Sequence, residues 1–242
     1  MAHHCEDEHH HSHGDDHVPP APTYTSQTLA NVIDTHKIRC LNVETSSTSQ
    51  PLVSKFFLKS QDAKFDCKDY IQSDADCQII LHIPFTVNCK IYSIMLRTNA
   101  NDTDNELSTP KDIRIYKNYP KNIDFDTMGN TKEDYKIQQP ENVGILFDEE
   151  NLVNEDEDTF VEHSLPRRVF QNCHSITLFV ENNWSGDGDE LTRIYYLEIR
   201  GEATSALKTN DGIPLATVYE SAPNPLDHGK LESEQTGLNM NF

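Results

Sequence analysis

Apolar residues along this chain alternate with polar ones at a period of two far more often than they recur at the helical period. Val87, Cys89 and Ile91 alternate with Asn88, Lys90 and Tyr92, and Ile113 and Ile115 with Arg114 and Tyr116. Ile176, Leu178 and Val180 alternate in the same way with Thr177, Phe179 and Glu181. Successive side chains of a strand point to opposite faces, so each stretch predicts a strand. Ile79 to Ile83 is nearly continuous aliphatic, as in a strand buried on both faces, and Pro84 is expected to end it. Asn182 to Asp189 reads as the turn of a hairpin whose second strand runs from Leu191 to Arg200 and stops at Gly201. Weaker signals predict strands at Arg39–Val43 and Val53–Leu58, a short edge strand at Arg168–Asn172, and a short helical entry over Leu29–Ile38.

Many short strands with polar connections and little helix predict an all-β fold, an antiparallel β-sandwich or jelly roll. Residues 1–27 hold seven of the twelve histidines and five acids, with almost nothing to bury. Residues 203–242 contain few clustered aliphatics and much Ser, Asn, Pro and Gly. The expected organisation is therefore a disordered His/Asp-rich tail over 1–27, one folded domain over 28–202, and an extended tail over 203–242.

The formal net charge is −20. Nucleic-acid binding needs a basic surface to neutralise phosphates, and anionic lipid would repel such a chain, so neither is an expected partner. The charge suits solubility and, beyond that, a partner with basic grooves. Within the body it peaks at Asp148–Asp158, with seven acids in eleven residues, expected as a solvated loop. No apolar run approaches a membrane span and the N-terminus is too polar for a secretory signal, so the expectation is a cytoplasmic and nuclear protein, monomeric. The six cysteines form no C-x-x-C pair and are expected to stay reduced, with Cys40, Cys89 and Cys173 acting as small core residues.

Candidate chemistry is sparse. His3, His4, Cys5, His9, His10, His11, His13 and His17 are metal-binding residue types. Their tract lacks the fixed spacing of a structural site, so no specific metal site is assigned. No Gly-x-Ser-x-Gly elbow occurs, and no cysteine has an evident base beside it in sequence. His82, inside the buried strand, reads as a hydrogen-bonded core histidine. Asp74 and Asp76 read as caps of the turn before that strand. Gly186 and Gly188 lack the strand-to-helix context of a phosphate loop. No catalytic residue and no cofactor is assigned. Trp184, the only tryptophan, either offers an aromatic platform or anchors its loop by packing.

Particular wording adds to this pattern. Ile33-Asp34 with Cys40-Leu41-Asn42, then Ser73-Asp74-Ala75-Asp76 with Ile83-Pro84-Phe85, resemble the PITH domain, the proteasome-interacting module of thioredoxin-like proteins. So do Tyr116-Lys117-Asn118 with Pro120, Asp124-Phe125-Asp126, Phe170-Gln171-Asn172, Ser175–Val180, and Thr192-Arg193-Ile194 through Gly201, in the family's order. The chain is more similar to the stand-alone members, since the C-x-x-C of a preceding thioredoxin domain is missing. The acidic block and Cys77 depart from the family's pattern, and the last residue, Phe242, is not the terminal histidine of the thioredoxin-bearing relatives. The resemblance implies a galactose-binding-like jelly roll and docking on the 19S regulatory particle of the 26S proteasome. The residues expected to meet the partner are Trp184 and the tail residues Asn224, Pro225, Asp227 and His228. The alternative, from fold shape alone, is a carbohydrate or small-ligand module.

Overall fold

The computed structural model describes residues 20–45, 56–57, 59–102, 106–141, 143–146 and 153–206. The metal-like histidine tract and the tail residues Asn224, Pro225, Asp227 and His228 lie outside them. Nine strands, among the described residues, are joined by antiparallel pairs: β1 (Arg39–Leu41), β2 (Val43–Thr45), β3 (Ile71–Ser73), β4 (Ile79–Thr98), β5 (Asp112–Lys117), β6 (Tyr135–Gln138), β7 (Phe160–Ser164), β8 (Cys173–Val180) and β9 (Arg193–Ala206). One short helix, α1 (Phe125–Gly129), follows β5.

The organising element is β4. Its first part, Ile79–Pro84, lies between β8 and β1. Its second part, Val87–Thr98, lies between β9 and β7. The registers shift between Pro84 and Cys89, and again between Asn88 and Cys89. A bulged strand bends and twists, so β4 passes from one sheet to another at this point. One layer therefore runs β6-β5-β8-β4-β1 and the other β7-β4-β9-β3-β2. Most connections, including β4 to β5, β6 to β7, β7 to β8 and β8 to β9, cross between layers. The fold is thus an all-β antiparallel sandwich of jelly-roll type, as the alternation predicts.

Inward side chains of both layers share one core. It takes Ile79, Leu81 and Ile83 from the first part of β4, Ile91, Ile94 and Leu96 from the second, and Ile176, Leu178, Leu197 and Ile199 from β8 and β9. The other face of the first layer is covered as well: Ile80 packs with Tyr116, Phe179 and Met128 of α1. This covering accounts for the continuous aliphatic run at Ile79–Ile83. Asp124 caps α1, its carboxylate accepting from the Thr127 amide at 2.7 Å and the Thr127 hydroxyl at 2.8 Å.

The outer face of the second layer is buried and polar, which the sequence pattern does not reveal. Arg97 and Tyr196, Met95 and Glu198, and Ser93 and Arg200 sit opposite one another across β4 and β9. Arg200 pairs with Glu198 at 2.9 Å, with side chains only 7% and 3% exposed, and with Glu162 of β7 at 3.3 Å. Arg97 is fully buried over the Phe160 ring and donates to Thr159 Oγ1 and to the carbonyls of Lys64, Asn154 and Asp156.

Several expectations are corrected. Pro84 does not end its strand: it falls where β4 changes sheets, one of the few strand positions that tolerate a missing amide donor. Arg39–Val43 is broken at Asn42, whose φ of 55° separates β1 from β2. Within Val53–Leu58 only Phe56 and Phe57 are described, and they are helical and buried. Arg168–Asn172 is a turn, with the Val169 and Phe170 amides both donating to the Pro166 carbonyl. Leu29–Ile38 holds a single 3-10 turn, Ala30–Val32. Asn182–Asp189 is not a hairpin turn, because β8 and β9 lie on opposite sides of β4. Nor does Gly201 end β9, which continues through Ala206. A Cβ at Gly201 would meet the Lys90 carbonyl oxygen at 2.0 Å, so the glycine permits close pairing with β4.

Candidate functional site

The strand registers bring four connections to one end of the sandwich: 74–78, 99–111, 139–146 and 181–192. Ile79 lies opposite Val180, Ile113 also meets Val180, and Thr98 meets Ile194, so these connections all leave at the same edge. They are fastened by side chains with turn-forming chemistry. Asn42, held at positive φ, accepts from the Ala75 amide at 3.0 Å and donates to Asp76 Oδ1 at 2.8 Å and to the Gln78 carbonyl at 2.6 Å. Asp76 Oδ1 also accepts from the Gln78 amide at 2.9 Å, so Asp76 caps this turn as expected. Asp74 is exposed and makes no comparable bond among the described residues.

The Cys77 amide donates to the Gly188 carbonyl at 2.8 Å, clipping that turn to the 182–189 loop. Inside the loop, buried Asn183 donates to the carbonyls of Asp187 and Glu190 at 2.8 and 3.0 Å and accepts from Ser185 Oγ and the Gly186 amide. Gly186 takes φ 73°, a conformation glycine adopts without steric cost. Trp184 then ties the loop sideways. Its amide donates to the Thr109 carbonyl at 2.9 Å, and its indole N–H donates to the Gln139 carbonyl at 2.8 Å. Lys111 Nζ lies 4.6 Å from the centre of its ring. Trp184 is thus half-buried and joined to two neighbouring connections, which is the anchoring arrangement.

Between the two clipped loops lies an open cleft lined by Asp76, Cys77, Gln78, Glu181, Asn183 and Gly188, among others. Its polar groups mostly bond one another. The Cys77 thiol is pushed up by burial and by the charges of Asp76 and Asp187, which keeps it protonated and a poor nucleophile. Among the described residues no group of three His, Cys, Asp or Glu side chains is placed to hold a metal ion. His82, the other candidate, is buried on the first layer with its Nδ1 2.8 Å from Thr177 Oγ1. Burial, with the charges of Arg39 and His174, lowers it to about 4. It is a neutral, hydrogen-bonded core group.

What distinguishes this end is charge. Asp74, Glu106, Glu141 and Asp189 are exposed there and make no ion pair among the described residues. The neighbouring cations are committed: Arg114 to Glu181, Lys136 to Asp112 and Glu181, and Lys111 over Trp184. Of this end, the sequence marked Trp184 as a partner-contact residue. It did not show that 99–111 and 139–146 converge there, nor that Asn42 and Asn183 do the fastening. The available cue was asparagine in turn segments, a residue that tolerates positive φ and bonds nearby backbone.

Comparison with known proteins agrees with the wording of the chain. A family model for the PITH domain matches residues 19–223. The chain is 32% identical over 200 residues to a PITH domain-containing protein of Drosophila pseudoobscura pseudoobscura, covering 83% of this chain and 80% of the relative. It is 30% identical over 214 residues to PITH domain-containing protein 1 of Danio rerio, covering 88% and 86%. Among solved structures it is similar to the lectin binding domain of lectinolysin complexed with Lewis b, at TM-score 0.41 and 8% identity, covering 75% of this chain and 100% of that one. It is also similar to the family 32 carbohydrate-binding module of C. perfringens NanJ in complex with galactose, at TM-score 0.37 and 8% identity, covering 69% and 96%. Both likenesses are too distant to carry a ligand across. The family match spans most of the chain and every described strand, and this chain belongs to the PITH domain family.

Proposed function

We propose that this protein is a non-catalytic docking protein of the cytoplasm and nucleus that engages the 19S regulatory particle of the 26S proteasome and adjusts it or adapts it to other factors. Its wording resembles the proteasome-interacting family, and its surface suits the task. The observation that carries the reading is the acidic loop end. Exposed carboxylates stand on four connections that are hydrogen-bonded into one rigid cluster, with the local cations already paired. Such a surface steers and orients association with a basic cleft, and its rigidity reduces the ordering cost on binding. Trp184 contributes by holding the cluster together, with Asn224, Pro225, Asp227 and His228 as a second contact.

Affinity purification of the tagged full chain from a gentle, low-salt lysate tests the reading. Regulatory-particle subunits are expected to co-purify and to be lost as salt is raised. Their absence at low salt sinks it. No observation favours the carbohydrate alternative, since the indole N–H of Trp184 is already bonded and Lys111 covers its ring.

A further inference from the structure

The connection between β7 and β8, residues 165–172, has the opposite character to the acidic end. It begins with Leu165 donating to the Tyr92 carbonyl at 2.8 Å and is plugged by fully buried Phe170, whose carbonyl accepts from the Ile91 amide at 2.9 Å. On its other side Lys117 Nζ donates to the Val169 carbonyl at 3.0 Å, and Asn118 Nδ2 to the Asn172 carbonyl at 2.9 Å. Asn118 Oδ1 accepts the His174 and Ser175 amides at 2.7 and 3.1 Å. The turn is therefore fixed to β4 on one flank and to the end of β5 on the other.

On this rigid turn stand two consecutive exposed arginines. Arg167 lies over the Tyr92 ring at 4.3 Å, which orients its guanidinium while leaving its donors available. Arg168 makes no ion pair or hydrogen bond among the described residues. Lys121 is exposed just beyond Asn118. Of the exposed acids nearby, Glu202 is 4.0 Å from Lys90 and Asp134 accepts from the Lys117 amide at 2.7 Å, and neither forms an ion pair with Arg167 or Arg168 among the described residues. Among the described residues neither guanidinium is held in an ion pair, and the two stand side by side on a preorganised turn. A guanidinium fork matches a carboxylate with two parallel hydrogen bonds, and arginine is enriched where binding energy concentrates. Two guanidinium groups on one turn suit a short run of carboxylates and fall short of the extended basic surface that a nucleic acid needs.

We propose that the 165–172 turn is a docking surface for an acidic protein segment, with Arg167 and Arg168 as its carboxylate-binding residues. This surface is separate from the acidic loop end and does not rest on the proteasome reading. Fluorescence anisotropy of a fluorescein-labelled oligoglutamate peptide, titrated with the full chain at low salt, tests it. Saturable binding that weakens as salt rises is expected. Arg168→Glu is expected to lower affinity about tenfold or more, and the Arg167→Glu, Arg168→Glu pair to abolish binding. Lys68→Glu, the same charge change at another exposed position, sets the effect of net charge alone. Arg168 is exposed and makes no ion pair or hydrogen bond among the described residues, so its variant is expected to fold. No binding, an Arg168→Glu affinity equal to that of Lys68→Glu, or an oligothymidine bound as tightly as the peptide would each overturn the proposal.

Discussion

At the residue scale, His82 shows how burial converts a titratable group into a structural one. Its ring faces Thr177 and is held at about 4, well below an unfolded histidine near 6.5. Between these values the unfolded chain binds a proton that the folded chain refuses. The contribution is therefore fully present above about pH 6.5 and declines as pH falls toward 4. By about pH 5 the loss from this one group amounts to roughly 2 kcal/mol. His163, also lowered to about 4 by burial and 2.7 Å from Gln139 Oε1, acts in the same direction. Urea unfolding across this range is expected to show falling stability in the native chain and a shallower fall in His82→Gln. Equal slopes would remove His82 from the account.

At the element scale, the fold depends on β4 changing sheets and on β9 pairing closely with its second part. Gly201 is where that closeness is greatest. Gly201→Ala is expected to cost about 3 kcal/mol or more, because backbone must move to admit the methyl group. Gly188→Ala, where a Cβ meets nothing within 4 Å, is expected to stay within about 0.5 kcal/mol of the native chain. Chemical denaturation of both variants checks the contrast, and a mild Gly201→Ala would contradict it. The same residue shows how much was legible in the sequence. Alternation identified β5, β8 and much of β4, because each has one face in the core and a regular polar face. It missed β3 and β6, which are too short to show a period, and β7, whose outer face joins the buried network of Arg200 and Glu198. Gly201 and Pro84 were read as strand ends, their commonest meaning. Here both mark close approach or a bulge, which only the partner strand reveals.

At the scale of the whole molecule, family membership was legible from ordered wording, and the structure supplies a reason for that wording. Asp76 caps a turn, Asn118 gathers three backbone groups at positive φ, and Asp124 starts α1. These residues maintain the scaffold. The candidate site was only partly legible, since it is assembled from connections remote in sequence that meet through antiparallel registers. Among the described residues the body carries exposed carboxylates without ion pairs at one end and two exposed arginines without ion pairs on the β7–β8 turn. We propose that the acidic end docks on the proteasome regulatory particle. Co-sedimentation of the purified full chain with purified 26S proteasome, alongside the Asp74→Asn, Glu141→Gln, Asp189→Asn variant that replaces three of these carboxylates with amides, tests this docking. Saturable, salt-sensitive binding that the variant weakens about tenfold or more is expected, whereas no binding at low salt, or equal binding by the variant, would contradict the account.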